Sequence, residues 1–436
     1  MKFINKKNKT FWILSFLFLL SLVLNISYLL YWSGIGLEGD LSFNDEFAYK
    51  ELAENIIDTN TYGYGNTPET TYTAGYPLFL SIFYFLFNNV IQVGRIINVI
   101  VVALFVILVY KIAKIFLTKR ISLIAAIITA LFPTFKLYIP YLLNHLFYTF
   151  LLLCAYYLFL RYLKERRILI IIFCSFFLGI MILVRIETIL LIFMILFVIL
   201  LNNINKTRTK NNILAIFILV FVSFLIVLPL SIRNYNLIGV FAPSDLLSGP
   251  LDLWATIYGS FYQSNKMTVH EFKNLHFANL NVNDKKSLAK KEVMYLLITH
   301  PEYYAEGVLR NTLYWLFGYH NYLNPYIVKV GLFEALNNEQ YSVVFWKIFL
   351  FLFQEIIIFS GIFGFIILFF QNKKTFLIYS LPLISGFLVY SFIWGEPRFQ
   401  VHILPFLTIF SVYTFINLIA TVKKTPVYDE YKSIEL

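Results

Sequence analysis

Lysine and arginine cluster in every second gap between the apolar segments of this chain. The remaining gaps carry most of the carboxylates, including the adjacent pair Asp45 and Glu46. Apolar runs of about 20 residues can cross a bilayer as helices, and short basic loops stay on the cytoplasmic side. The alternation therefore predicts a multi-pass protein of the cell membrane, with both termini cytoplasmic and the acidic loops facing outward.

The composition agrees with this class of protein. Hydrophobic residues make up 59% of the chain and charged residues 14%, whereas soluble domains average about 45–50% and about 25%. A net charge of +11 is also found in nucleic-acid-binding proteins. Here the cations flank apolar segments, as the positive-inside rule predicts, so no nucleic-acid partner is expected. Cys154 and Cys174 lie within apolar runs and are predicted to be buried thiols.

We expect an all-α integral membrane fold with about ten transmembrane helices. The predicted spans are 11–32, 90–116, 119–138, 141–163, 168–184, 186–202, 212–232, 343–370, 375–393 and 399–421. The run 168–202 is also compatible with one span and a re-entrant piece. The predicted organisation is a cytoplasmic N-terminus (1–10), a transmembrane module (11–232) with an acidic first outer loop (33–89), an extracytoplasmic loop with short helices (233–342), C-terminal transmembrane helices (343–421) and a cytoplasmic tail (422–436).

The first outer loop is predicted to contain an interfacial helix over 46–58. Its apolar and charged residues fall on opposite helical faces. Ser42 and Asp45 have the spacing of a capping box, which places Asp45 in the first turn. The run Gly75–Phe87 is too short to span and is predicted to lie on or dip into the outer leaflet. The long loop is predicted to contain helices near 284–299 and 303–317, separated by His300-Pro301.

Asp45 and Glu46 are the leading candidates for catalysis. A carboxylate at a helix start beside the membrane suits a general base. The alternative is a solvated acidic loop that caps its helix.

Three arginines lie at predicted outer ends of spans: Arg185, Arg233 and Arg398. Guanidinium groups bind phosphate through bidentate, always-charged contacts. The alternatives are contacts with lipid headgroups and, for Arg185, a structural ion pair with Glu187.

The motifs that would indicate a cofactor are absent from the sequence. There is no phosphate-binding glycine loop, no dinucleotide-binding glycine pattern and no zinc-ligand spacing among the histidines. We therefore expect no cofactor, with a divalent metal left as an open alternative.

Five motifs, taken in order, resemble those of the GT-C superfamily of membrane glycosyltransferases. This group includes protein O-mannosyltransferases, the aminoarabinose transferases of lipid A and the relatives of rhizobial core-sugar transferases. The matching segments are Asn44-Asp45-Glu46 with Tyr49 and the helix to Ile57, Thr73 to Phe79, Leu178 to Arg185, Pro229 to Tyr235, and Glu396-Pro-Arg-Phe with Pro405.

The resemblance implies a sugar donor carried on polyprenyl phosphate and an acceptor lipid, protein or envelope glycan. It implies Asp45 as the base of an inverting transfer, Glu46 in acceptor positioning, and Arg233 and Arg398 on the leaving phosphate, with Arg185 as a third candidate. Further residues expected to line the site are Tyr49, Tyr76, Glu187, His145, Asn234 and Glu396.

Two other function classes remain open at this stage. A polymerase or ligase of lipid-linked oligosaccharides would also use outer-face arginines and a long outer loop. A non-catalytic flippase or transporter would instead show inverted repeats and polar residues near mid-membrane, neither of which is evident in the sequence.

Overall fold

A computed structural model describes residues 5–33, 44–65, 67–201, 209–244, 253–254, 256–257, 282–318, 331–393 and 395–423. The helices are α1 (Asn5–Ser33), α2 (Asn44–Asp58), α3 (Gly75–Phe87), α4 (Val90–Phe116), α5 (Lys119–Leu131), α6 (Pro133–Leu137), α7 (Asn144–Glu165), α8 (Ile168–Val184), α9 (Thr188–Leu201), α10 (Thr209–Ile238), α11 (Val282–Thr299), α12 (Pro301–Phe317), α13 (Leu332–Asn337), α14 (Tyr341–Gln371), α15 (Lys373–Tyr379), α16 (Leu381–Phe392) and α17 (Gln400–Lys423), preceded by a 3-10 turn at Pro397–Phe399. The described strands, β1 (Gly63–Tyr64) and β2 (Thr67–Pro68), form an antiparallel hairpin. The predicted all-α membrane fold is confirmed.

The helices correspond closely to the predicted spans. Within the described ranges, seven helices are long and apolar enough to cross a membrane, or eight if the bent pair α15–α16 is one span. That pair occupies the predicted span 375–393, and the predicted spans 168–184 and 186–202 are the shorter apolar helices α8 and α9. The long apolar run is thus two helices joined at Arg185–Glu187. The side of the membrane on which each connection lies stays a prediction.

Three helices form the centre of the bundle. In the most apolar 18-residue stretch of each span, the buried share is 61% in α4, 72% in α7 and 78% in the last span. The corresponding share is only 17% in α1 and 22% in α10. The peripheral helices therefore present most of their apolar surface outward, where lipid would solvate it. Helix α17 packs closely against α14 because Gly361 and Gly364 face the backbone of Leu407 and Phe410.

Proline residues account for two breaks in the predicted spans. Pro133 opens α6 directly after α5 ends at Leu131. The Lys136 ammonium then donates to the carbonyls of Ala130 and Phe132 at 2.9 and 3.2 Å, which satisfies groups that the break leaves without helical partners. Pro382 lies in the first turn of α16, where the pair α15–α16 bends by 62°.

The first loop folds as α2, the hairpin and α3. As predicted, α2 has a buried face, which includes Leu52 and Ala53, and α3 is a 13-residue helix. Ser42 of the predicted capping box lies outside the described residues. Gly75 opens α3 against the last turn of α8, and Thr73 Oγ1 donates to Val184 O at 2.7 Å. The first loop is therefore fixed to the end of α8.

Helix α10 is longer than predicted. It continues to Ile238 rather than ending at residue 232, so Arg233 and Asn234 lie within its last turns. The apolar run ends near residue 232, but the side chains of Arg233 and Asn234 bind nearby backbone carbonyls, which keeps the polar turns ordered. In the long loop, α11 and α12 confirm the predicted helices on either side of His300-Pro301.

The close approach at Gly75 predicts a destabilising substitution. A Cβ at Gly75 would lie 2.6 Å from Leu183 O, a backbone atom that cannot move aside. We expect Gly75→Ala to lower the free energy of unfolding by about 1–3 kcal/mol, as overpacking does. Thermal unfolding in detergent measures this. The matched control is Gly331→Ala, where a Cβ meets nothing within 4 Å; equal effects of both substitutions would contradict the packing described here.

Candidate functional site

Asp45 lies in the first turn of α2 and is held at both carboxylate oxygens. Arg398 Nη1 donates to Oδ2 at 2.8 Å, and the Tyr72 hydroxyl donates to Oδ1 at 3.0 Å. The Asp45 side chain remains 29% exposed. Its carboxylate is thus oriented by two elements and still accessible to a ligand.

Arg398 comes from the 3-10 turn that opens α17. Its Nε forms an ion pair with Glu396, two residues earlier, while Nη1 binds Asp45. Because a guanidinium carries five N–H donors, these contacts leave donors that can bind a further anion.

Arg185 lies in the turn between α8 and α9 and pairs with Glu187. Burial alone would lower the pKa of Arg185, but Glu187, Tyr390 and Tyr148 together raise that pKa above its ordinary value. Arg185 Nη1 also lies 3.4 Å from both Asn144 Oδ1 and His145 Nδ1. Arg185 is therefore a permanent cation with polar neighbours at the start of α7.

The ring of Phe399 brings the two arginines together. The Arg185 guanidinium carbon lies 4.6 Å from the ring centroid, and that of Arg398 lies 5.6 Å from it. Cations over an aromatic ring are attracted by its quadrupole. Two cations therefore occupy one neighbourhood, beside the Asp45 carboxylate.

Aromatic side chains pack beneath the carboxylate. Tyr49 packs edge-on against Tyr72 and Tyr76, with ring centroids 5.6 and 5.1 Å apart, and its hydroxyl accepts from Asn144 Nδ2 at 3.0 Å. Burial raises the pKa of Tyr49 above its ordinary value, and burial together with Asp45 does the same for Tyr72. Both side chains are neutral phenols at physiological pH, so Tyr72 serves Asp45 as a hydrogen-bond donor.

A buried histidine pair lies behind the arginines. His145 Nδ1 is 3.4 Å from His402 Nε2, and His402 Nδ1 is 2.6 Å from the Tyr390 hydroxyl. His145 is thus placed beside Arg185, as a site-lining residue would be. His402 and Tyr390 were not predicted as site residues, although His402 is only four residues after Arg398 and lies in the first turn of α17.

Glu46 adjoins Asp45 in sequence but is directed elsewhere. Its side chain is buried, and Oε1 accepts from Leu142 N at 2.7 Å. The same segment between α6 and α7 is bound by Asn98 Nδ2, which donates to Ile139 O and Tyr141 O at 3.1 and 3.0 Å. The geometry thus favours a structural function for Glu46 over contact with an acceptor.

Arg233 and Asn234 are engaged away from the Asp45–Arg398 pair. In the described part of the chain, Arg233 binds Tyr62 O, Glu69 O and Asn234 Oδ1, and Asn234 Nδ2 donates to Ala242 O. These contacts give no support to the prediction that Arg233 shares a phosphate with Arg398. Arg233 lies near the C-terminal end of α10, but its side chain faces the hairpin.

Within the described ranges, no group of three His, Cys, Asp or Glu side chains could hold a metal ion. Asp45 is bound by Arg398 and Tyr72 instead. The absence of a cofactor stays a prediction.

Comparison with known proteins identifies the fold. A family model described as dolichyl-phosphate-mannose-protein mannosyltransferase matches residues 73–232, a range that contains Arg185 but neither Asp45 nor Arg398. The Archaeoglobus fulgidus oligosaccharyltransferase in the apo form aligns with a TM-score of 0.57 and 18% identity, covering 97% of this chain and 52% of that chain. The archaeal oligosaccharyltransferase AglB from Archaeoglobus fulgidus, in complex with an inhibitory peptide and a dolichol-phosphate, aligns with a TM-score of 0.54 and 17% identity, covering 96% and 52%.

This chain therefore spans about half the length of the oligosaccharyltransferases that it matches. ArnT from Cupriavidus metallidurans bound to undecaprenyl phosphate aligns with a TM-score of only 0.38 and 15% identity, covering 89% of this chain and 77% of that chain. No curated protein matches the sequence. The resemblance to the GT-C superfamily of membrane glycosyltransferases is confirmed.

The structural function of Glu46 can be tested by its effect on stability. Glu46→Ala leaves the buried Leu142 N–H without its acceptor, and we expect a loss of about 1–3 kcal/mol in the free energy of unfolding. The measurement is thermal or denaturant unfolding in detergent. Glu51→Ala, on the exposed face of the same helix, should have little effect; a Glu46→Ala protein as stable as this control would contradict the assignment.

Proposed function

We propose that this chain is a glycosyltransferase that moves a sugar from a polyprenyl-phosphate donor to a hydroxyl group of an acceptor at the outer face of the cell membrane. The observation that carries the proposal is the oriented Asp45 carboxylate beside Arg398 and Arg185, at one end of a membrane helix bundle. The match to a mannosyltransferase family model and the dolichol-phosphate bound to AglB support this class of donor.

Asp45 is the proposed general base. It removes the proton from the acceptor hydroxyl as the oxygen attacks the anomeric carbon, and the bond from that carbon to the phosphate oxygen breaks. Attack opposite the leaving group inverts the configuration at the anomeric carbon. Tyr72 and Arg398 hold the carboxylate from two directions, so its orientation is set before the acceptor arrives.

Arg398 and Arg185 are the proposed ligands of the leaving phosphate. As the glycosidic bond breaks, negative charge accumulates on the phosphate oxygens, and fixed cations stabilise that charge without reorganising. Phe399 holds both guanidinium groups in place, and Glu187 and Glu396 orient them. This arrangement requires no nucleotide, because the free lipid phosphate is the leaving group.

The acceptor is a lipid, a protein or an envelope glycan that presents a hydroxyl group at the membrane surface. Tyr49 and Tyr76 are buried and pack edge-on against each other near Asp45, so they support the first turn of α2 from the protein side. Membrane lipids surround the bundle. The outward orientation rests on the charge alternation, which places the Asp45 loop opposite the basic loops.

A second candidate is a transferase or ligase of lipid-linked oligosaccharides. The fold similarity to the oligosaccharyltransferases favours it. Both candidates use the same helix bundle, but they differ in the donor. The donor of the glycosyltransferase proposed above carries a single phosphate.

Replacement of the proposed base should abolish transfer. We expect Asp45→Asn to lower kcat by at least about 100-fold, the scale of general-base catalysis. The assay offers the purified protein in lipid a panel of polyprenyl-phosphate sugars. Asp58→Asn is the matched control, because Asp58 also lies on α2 and accepts from a tyrosine, Tyr84, at 3.0 Å. An Asp45→Asn protein as active as this control would refute the assignment.

Arg398 should affect donor binding. Arg398→Gln removes a charged contact to phosphate, and we expect the donor KM to rise by about 10–100-fold, equivalent to a charged hydrogen bond of about 1.5–3 kcal/mol. Initial-rate kinetics with varied donor measure the change. Arg167→Gln serves as control, since the Arg167 side chain is 75% exposed and lies beyond α7. An unchanged donor KM in Arg398→Gln would contradict phosphate binding by this residue.

A further inference from the structure

Arg233 binds the residues on either side of the hairpin in the first loop. Its Nη2 donates to Tyr62 O at 2.7 Å and its Nη1 to Glu69 O at 2.8 Å. Tyr62 directly precedes the hairpin and Glu69 directly follows it. The two residues are joined by a hydrogen bond from Glu69 N to Tyr62 O at 3.0 Å. The guanidinium also lies 5.2 Å from the centroid of the Tyr62 ring. One side chain from α10 therefore fixes both ends of the hairpin.

The two ends of the hairpin in turn hold the residue that orients Asp45. The Tyr62 hydroxyl donates to Tyr72 O at 2.8 Å, and Glu69 Oε1 accepts from Tyr72 N at 2.9 Å. The backbone of Tyr72 is thus bound on both its polar groups. Its hydroxyl is then directed to Asp45 Oδ1.

We infer that Arg233 is a positioning residue for Asp45, acting through the hairpin and Tyr72 rather than through a phosphate. The inference rests on the proposed role of Asp45 as the base. Without the Arg233 contacts, the two ends of the hairpin lose this attachment to α10, and Tyr72, which they bind, is held less firmly against Oδ1. The carboxylate is then less constrained about its contact with Arg398, and small errors in the position of a base lower the rate of proton transfer.

The shape of the arginine side chain is needed for this role. A planar guanidinium can bind two separate carbonyls at once, while an ammonium is a compact charge on a flexible stem. A lysine at this position is therefore expected to restore only part of the constraint.

The kinetic test compares Arg233→Gln, Arg233→Lys and Tyr72→Phe with the wild type. We expect Arg233→Gln to lower kcat about tenfold with an unchanged donor KM, and Arg233→Lys to lie between it and the wild type. Because Arg233 acts on Asp45 only through Tyr72, Arg233→Gln combined with Tyr72→Phe should be no slower than Tyr72→Phe alone. A raised donor KM would assign Arg233 to the phosphate and overturn the inference, as would independent effects of the two substitutions.

Two measurements are independent of activity. Hydrogen exchange should become faster across 62–73 in Arg233→Gln but not in Arg398→Gln, and the effects of Arg233→Gln and Tyr72→Phe on the unfolding temperature should be non-additive. If the wild type transfers no sugar while this coupling is present, the proposed function fails and the linkage from Arg233 to Tyr72 stands. Additive effects on stability with unchanged exchange would overturn the inference whatever the activity.

Discussion

The ion pair between Asp45 and Arg398 is the contact on which the site depends. It joins the first turn of α2 to the turn that opens α17, across 353 residues of sequence. A partly buried carboxylate needs such a partner, because removing one member leaves the other charge uncompensated. The ring of Phe399, next to Arg398 in sequence, lies close to both guanidinium groups and brings Arg185 from the α8–α9 turn into the same neighbourhood. Three distant parts of the chain thereby form one charged cluster at one end of the helix bundle.

The features that follow from length and periodicity were predicted from the sequence. Apolar runs fixed the spans, and the turn at Arg185–Glu187 followed from two charges that interrupt such a run. The alternating charges also placed Asp45, Arg185 and Arg398 on one side, and the structure brings these residues together. The buried face of α2 followed from its helical periodicity.

Side-chain direction could not be predicted in the same way. Asp45 and Glu46 are adjacent, but successive residues on a helix point in directions about 100° apart. One carboxylate therefore faces Arg398 and the other Leu142 N. Likewise, Arg233 was placed at the correct helix end, yet α10 continues past it, and its partners are carbonyls of a hairpin that has no strong sequence signal. Tyr72 was missed because its contact with Asp45 depends on that hairpin.

We propose that this site transfers a sugar from a lipid monophosphate, and the identity of the released lipid is the decisive test of that proposal. Purified wild-type protein in lipid would be given matched polyprenyl monophosphate and polyprenyl diphosphate donors carrying the same sugars, and the lipid products would be identified by mass spectrometry. We expect consumption of a monophosphate donor alone, with release of polyprenyl phosphate and transfer of the sugar with inverted configuration. Consumption of the diphosphate donor alone, or of neither donor by a folded protein, would contradict it.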